Sequence, residues 1–203
     1  MPTVYVVDDD NAVRDGLEAL LGSVKLRCET FARAEDLLTV ADRNLRGCLL
    51  LDVRMPYMSG LDLQNKLREM NIEMPIIIIT GHGDVSMAVR ALKAGASDFI
   101  EKPFNEQDLL DRIQKYLKDD QSNWQARQAR EDATARFALL TRREIEVMEL
   151  IAAGSHTKRI AGQLEIQSRT VDVHRFNIMR KVRVRTLAEL LQFWSMAQHL
   201  TPP

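Results

Sequence analysis

Residues able to do chemistry stand at the ends of four apolar runs. Asp8-Asp9-Asp10 follow "TVYVV", Asp52 follows "CLLL", Thr80 closes "PIIIIT", and Lys102-Pro103 follow "DFIE". An ionised carboxylate at the edge of an apolar core is costly unless something pairs with it. Carboxylates gathered at one edge repel one another and need a cation. Hard oxygen ligands that leave room for water and phosphate suit Mg²⁺. A carboxylate beside Mg²⁺, with a Lys and a Thr hydroxyl opposite, is equipped to attack a phosphoryl group, the metal and the Lys neutralising the equatorial oxygens. Asp52 is most simply a nucleophile that becomes an acyl phosphate. Asp8, Asp9 and Asp10 alone read more simply as helix caps. Asp52, Thr80 and Lys102 at matching positions turn the balance toward function.

Those groups meet only in one kind of scaffold. Strands are expected at 3–7, 26–31, 48–51, 75–80 and 98–101, separated by stretches of helical periodicity. Ser59 with Asp62, and Asn105 with Asp108, have the form of capping boxes, and Gly95 is placed to end the helix that begins near Asp84. Alternating strands and helices imply a parallel sheet covered on both faces. Ligands of such sheets bind beyond the carboxyl ends of the strands, where the strand order reverses. Only an order placing the first and third strands side by side clusters the carboxylates, and the flavodoxin-like order 2-1-3-4-5 does so.

Residues 3–118 resemble the receiver domain of two-component response regulators. The resemblance implies that Asp52 is the phosphoacceptor. Asp8 and Asp9 would hold Mg²⁺ together with Asp52 and the Arg54 backbone carbonyl. Thr80 would be the switch hydroxyl, with Phe99 the aromatic that follows it. Lys102 would pair with the phosphoryl group, and the Lys102–Pro103 bond is expected to be cis. Arg54 lies two residues after the acceptor and His82 two after Thr80; both flank the route of a hydrolytic water and are expected to set the phosphate's lifetime.

The net charge of −1 hides an asymmetry: residues 1–118 carry 15 Lys/Arg against 19 Asp/Glu, and residues 138–203 carry 10 against 6. Opposite signs suggest two jobs, the basic half being the better candidate for meeting nucleic acid. Between them, "DDQSNWQARQAREDATARF" lacks Pro and Gly and favours a helix over a flexible tether. The expected division is therefore 1–118, a helical linker over 119–137, and 138–203. Trp124 in the linker reads as a packing residue. The apolar runs are far shorter than a membrane span, and no export signal opens the chain, so a cytoplasmic location without a membrane partner is expected. Cys28 and Cys48 lack metal-ligand spacing and read as reduced core thiols.

Residues 138–196 are helical throughout in pattern. "LLTRREIEVMELIAAG" opens with Thr141 and Glu144 as a capping box, and "TKRIAGQLEI", "SRTVDVHRFNIMRKV" and "TLAELLQFWSMAQ" follow. The turn spacing fits a helix-turn-helix inside a four-helix unit. On the third stretch Val171, Ile178 and Val182 share one face and should be buried with His174 near them. Asp172, Val173, Phe176, Asn177 and Arg180 lie opposite. Six basic residues stand between Arg169 and Arg185 against the single Asp172, a stripe suited to phosphate.

This half resembles the LuxR-type (NarL/FixJ) DNA-binding domain, and the whole chain is similar to the FixJ/StyR/TodT branch of that family. The resemblance makes Lys158, Arg169, Thr170 and Arg175 phosphate contacts and sets Asp172, Val173 and Phe176 toward base edges. Asp172 can accept from cytosine N4, while Val173 and Phe176 can pack on thymine methyls; the alternative puts Phe176 in the core. Where the family often has Ser-Asn and Gly-Ile-Ser-Pro, this chain has His156-Thr157 and "EIQS", so capping is expected to shift to Thr157 and Ser168.

The reading is a phosphorylation-controlled transcription factor. A sensor histidine kinase would phosphorylate Asp52, pairing two copies on double-stranded promoter DNA and engaging RNA polymerase, with no enzymatic activity beyond self-phosphorylation and self-dephosphorylation. The alternatives are a Mg²⁺-dependent phosphohydrolase with an aspartyl-phosphate intermediate, disfavoured because Arg54 stands where a second carboxylate is common, and a protein- or RNA-binding role for the basic half.

Overall fold

The computed structural model describes residues 2–81 and 85–198. The chain divides into two compact units, residues 1–123 and 124–203. The first unit alternates strand and helix: β1 Thr3–Val7, α1 Asn11–Ser23, β2 Cys28–Phe31, α2 Ala34–Val40, β3 Gly47–Asp52, α3 Gly60–Glu69, β4 Ile76–Thr80, α4 Val85–Lys93 and β5 Asp98–Glu101. The helix α5, Glu106–Phe137, follows. The five strands form one parallel sheet in the order β2-β1-β3-β4-β5, the order the carboxylates require.

Strand periodicity splits the core in two. Tyr5, Val7, Leu49, Leu51, Ile76 and Ile78 face one way, against Leu37, Leu63, Leu67 and Ala91. Val4, Val6, Cys48, Leu50, Ile77 and Ile79 face the other, against Leu17, Leu21, Leu109 and Ile113. Each fully buried Leu or Ile contributes about 1.5–3 kcal/mol, so continuous apolar strands are stable only between two helical layers. Gly47 enters β3 at φ +137, where a Cβ would sit 1.7 Å from the Thr3 carbonyl oxygen; only glycine lets β3 lie beside β1 there.

The helix starts follow the sequence in part. Ser59 and Asp62 form the expected reciprocal capping box on α3. Asn105 accepts from the backbone of Gln107 and Asp108 at the start of α5. As the Pro- and Gly-free linker suggested, α5 is one helix of 32 residues. Within the first unit it is tied down by Asp120, buried and paired with Arg46 at 3.0 Å.

The second unit adds α6 Arg142–Ala152, α7 Thr157–Gln163, α8 Ser168–Val182 and α9 Leu187–Gln198. Val147, Met148, Ile151, Ile160, Val171, Ile178, Val182, Leu190, Phe193 and Trp194 form its core. Phe137, ending α5, packs on Trp194 with ring centroids 5.7 Å apart. Glu144 closes the capping box with Thr141 and also accepts from Lys181 Nζ at 2.6 Å, joining α6 to α8. Two starts depart from expectation. The caps of α7 and α8 are His156 and Gln167, neither making a side-chain cap bond. Thr157 and Ser168 lie one position too far in to cap, and the Thr157 hydroxyl instead accepts from Arg175 at 3.3 Å.

Candidate functional site

At the carboxyl ends of β1 and β3, Asp8 and Asp52 are 2% and 8% exposed. The sheet order brings them together, and Lys102 from beyond β5 reaches both. Its Nζ donates to Asp8 Oδ2 at 2.6 Å and to Asp52 Oδ1 at 3.0 Å. The remaining oxygens are held by the backbone. Asp52 Oδ2 accepts from the Arg54 N–H at 2.6 Å and Asp8 Oδ1 from the Asp10 N–H at 2.9 Å. Arg14 donates to the Asp8 carbonyl at 2.7 Å. Thr80 is buried at the end of β4 and makes a long 3.4 Å bond to the Gly81 carbonyl.

These groups line a cleft of about 240 Å³ together with Asp9, Asp10, Val53, Arg54 and Gly81. The acidic triplet is thus shared between two jobs. Asp10 caps α1 by accepting from the Ala12 N–H at 2.8 Å, the structural role open to any of the three. Asp8 points into the sheet edge, and Asp9 lines the cleft from an exposed position. Burial pushes the Asp52 carboxyl above the usual carboxylate range, against the pull of the Lys102 ammonium. Burial alone would lower the Lys102 amine, but its bonds to Asp8 and Asp52 outweigh this and hold it above its ordinary value. Lys102 is therefore a fixed positive charge at neutral pH.

Among the described residues no three His, Cys, Asp or Glu side chains are already gathered into a ready metal site, and Lys102 stands between Asp8 and Asp52. Asp8, Asp9, Asp52 and Arg54 line the cleft, and the carboxylates offer it hard oxygen donors. That set fits Mg²⁺, which takes one or two carboxylates and keeps its waters rather than entering a protein cage.

Two local features fix the Asp52 loop. Gly60, first residue of α3, donates to the Val53 carbonyl at 3.0 Å. Tyr57 turns the chain at φ +67 and carries the Arg33 guanidinium 4.6 Å from its ring centroid. The peptide bond Lys102–Pro103 is cis, as expected. Lys102 N–H donates to the Thr80 carbonyl at 2.8 Å, holding the lysine beside β4. Phe99 is half-buried against the Tyr5 and Leu49 face of the sheet. His82 lies outside the described residues. Arg14 was not singled out from sequence; its position six residues after Asp8, on the first turn of a helix, was the available signal.

On α8 the buried and exposed faces separate as the spacing predicted. Val171, Ile178 and Val182 are fully buried, and His174 is half-buried. Asp172, Arg169, Thr170 and Arg180 are exposed, and Lys158 is exposed on α7. Phe176 is 66% exposed and Val173 52%, so Phe176 does not belong to the core. Arg180 lies over the Phe176 ring at 5.9 Å, and Arg175 is drawn toward Thr157. Trp124 on α5 is half-buried with the Arg127 guanidinium 6.0 Å from its ring centroid.

Comparison with known proteins assigns both units. Residues 4–114 match the response regulator receiver domain, and residues 138–194 match the bacterial regulatory proteins of the luxR family. The response regulator protein TmoT of Ectopseudomonas mendocina is 45% identical over 195 residues, 93% of this chain and 86% of its own. The transcriptional regulatory protein FixJ of Bradyrhizobium diazoefficiens is 39% identical over 189 residues, 93% and 92% of the two chains. The solved structure of the response regulator StyR matches with a TM-score of 0.90 at 47% identity, over 96% of this chain and 98% of that one. These proteins are regulators by name, and the phosphohydrolase alternative has no support from them.

Proposed function

Because this chain belongs to the response regulators that join a receiver domain to a LuxR-type DNA-binding domain, we propose that phosphorylation of Asp52 by a sensor histidine kinase controls its binding to promoter DNA. The observation that carries this is the Lys102 ammonium bridging Asp8 and Asp52 in an open cleft. The ammonium neutralises the attacking carboxylate's neighbour and stands ready for the incoming phosphoryl oxygens. Asp52 forms the O–P bond as the donor's N–P bond breaks, and the donor imidazole leaves with the electron pair and takes up a proton. Asp8, Asp9, Asp52 and the Arg54 carbonyl would hold Mg²⁺, which when bound adds positive charge at the equatorial oxygens.

Thr80 and Phe99 are the residues suited to report the new charge. Thr80 can donate its hydroxyl to a phosphoryl oxygen, and Phe99, half-buried on the neighbouring strand, can move into the space it leaves. The surface that answers spans residues 84–101, of which 85–101 are described. Arg54 and His82 would set how fast water removes the phosphate. The chain works as a receiver over 1–118, a helical linker over 119–137 and a DNA-binding domain over 138–203, in the cytoplasm. It is a homodimer when phosphorylated and acts on RNA polymerase at the promoter. Among the described residues no helix is long and apolar enough to cross a membrane.

On DNA, α8 lies in the major groove. Lys158, Arg169, Thr170, Arg175 and Arg180 face phosphates, and Asp172, Val173 and Phe176 face bases. Two exposed apolar side chains beside an arginine stripe favour thymine methyls flanked by backbone contacts. The test measures duplex binding and mass in solution with and without acetyl phosphate and Mg²⁺, for the native protein and Asp52→Ala. Dimer formation and tighter binding only in the native protein are expected. Equal gains in Asp52→Ala, or labelling of another carboxylate, overturn the proposal.

A further inference from the structure

The two helices of the helix-turn-helix, α7 and α8, have poor caps of their own. Neither makes a side-chain bond at its N-cap. Each runs out into a left-handed residue that is not glycine, Glu165 at φ +53 and Arg183 at φ +58. Glycine takes that conformation freely and other residues at a cost. An arginine from outside compensates at each C-terminus. Arg143 of α6 donates through Nη2 to the Leu164 carbonyl and pairs through Nη1 with Glu146 at 2.8 Å. Arg136, in the last turn of α5, donates through Nη1 to the Val182 carbonyl at 3.2 Å.

Arg136 is aimed at that contact. Its Nε donates to Asp132 Oδ1 at 3.0 Å and its Nη2 pairs with Asp132 Oδ2, one turn back on the same helix. A bidentate carboxylate fixes the plane of a guanidinium, so the remaining Nη1 is directed across at α8. The Val182 carbonyl is among those that a helix end leaves without an internal partner, and positive charge there also suits the helix dipole. The turn carrying Arg136 is itself anchored. Ala133 is 4% exposed and, with Phe137, packs into the core that holds Val182 and Trp194. Helix α8 has 15 residues and is about 22 Å long. Asp172, Val173 and Phe176 lie toward its start and the clamp at its far end, so a displacement at the clamp tilts the reading residues. Recognition sites need placement to within about 0.5 Å and 10–20°.

We propose that Arg136 is a positioning residue for DNA recognition: it holds the tilt of α8, making the last turn of the linker helix a working part of the reading unit. The proposal rests on reading α8 as the recognition helix and goes beyond it, since Arg136 in this role touches no DNA. The test uses the full chain with Arg136→Met, which keeps a long apolar stem but neither charge nor donor, and Arg136→Lys, which keeps both. Two probes are compared. One is a duplex of about 30 base pairs, three helical turns, enriched from a random library by the acetyl phosphate-treated native protein. The other is a random-sequence duplex of the same length.

Arg136→Met should bind the enriched duplex about tenfold more weakly, the loss of one well-placed base contact. It should stay within about twofold of the native protein on the random duplex, with an unchanged salt slope, because no phosphate contact is lost. Arg136→Lys should recover most of the affinity for the enriched duplex. Without DNA, the Arg183 and Val184 amides, which both donate to the Met179 carbonyl, should exchange hydrogen about tenfold faster in Arg136→Met. The Val171 amide, at the other end of α8, should exchange as in the native chain. Equal losses on both duplexes with a shallower slope make Arg136 a phosphate contact and overturn the proposal. Faster exchange throughout the unit, or unchanged affinity for the enriched duplex, overturns it too. Should the native protein enrich no duplex, the DNA reading of α8 fails and this proposal with it; the other outcomes overturn this proposal alone.

Discussion

In the proposed role, Asp52 depends on neighbours that hold its carboxylate in place. Both of its oxygens are held, one by Lys102 and one by the Arg54 N–H, so its carboxylate is aimed before any donor arrives. The tightest constraint behind it is Gly60. A Cβ there would lie 2.2 Å from the Asp52 carbonyl oxygen and 3.1 Å from Leu51 Cγ, and the nearer obstacle is backbone that cannot swing aside. Gly60→Ala is expected to destabilise the receiver by about 1–3 kcal/mol through overpacking. It should also slow phosphorylation from acetyl phosphate by about tenfold or more, because the acceptor's own backbone must shift. Gly81→Ala is the control: it lies in the same cleft but its Cβ would meet nothing within 4 Å. Urea unfolding and the labelling rate of the two variants check this, and equal behaviour of the two would remove Gly60 from the site's support. Sequence alone placed Asp8, Asp52, Thr80 and Lys102 at one sheet edge, because each ends or directly follows an apolar strand. It could not show that Gly60 touches Asp52, since that contact depends on how α3 packs back on the loop.

At the scale of elements, strand ends and helix caps were legible where a residue type has one local use. Ser59–Asp62 and Thr141–Glu144 are such cases, and the span 168–182 is α8 as bounded by its own pattern. Strand β2 begins at Cys28 rather than Leu26, because the Leu26 N–H is spent on the Leu21 carbonyl in closing α1. Pairs far apart in sequence left no local mark: Arg46 with Asp120, Gln64 with Ala91, and Glu144 with Lys181. The last has a pH signature. Burial alone would raise the Glu144 carboxyl, but hydrogen bonds from Lys181 and Thr141 outweigh it and hold it below the usual range. A lowered folded value means the ionised form stabilises the fold. That contribution is complete above the unfolded value of about 4.3 and fades as pH falls through the folded one. Glu144→Gln should therefore cost about 1–2 kcal/mol in the second unit at pH 7. The difference from the native chain should shrink as urea unfolding is repeated toward pH 3 or so. A gap that stays constant with pH would assign the cost to shape rather than charge.

For the whole molecule, the sign of charge sets a constraint on how activation works. Phosphorylation adds negative charge to a receiver that is already acidic, and DNA is a polyanion. Local electrostatics therefore cannot raise DNA affinity; under the proposed pairing of two copies, the gain comes from how many basic faces engage at once. One α8 stripe offers a fixed set of phosphate contacts, and two copies on neighbouring half-sites offer twice that number. Affinity for duplex DNA falls with salt at a log–log slope of about −0.9 per phosphate neutralised. Acetyl phosphate-treated protein should then show about twice the slope of Asp52→Ala on the same duplex. Arg169→Ala should lower the slope by about one for each copy bound. Phe176→Ala, which removes an apolar contact and no charge, should change the preferred base while leaving the slope alone. Fluorescence anisotropy across a series of salt concentrations measures all three. A phosphorylated protein that binds more tightly at an unchanged slope would mean that a single copy engages DNA, with the gain coming from release of its reading face rather than from pairing.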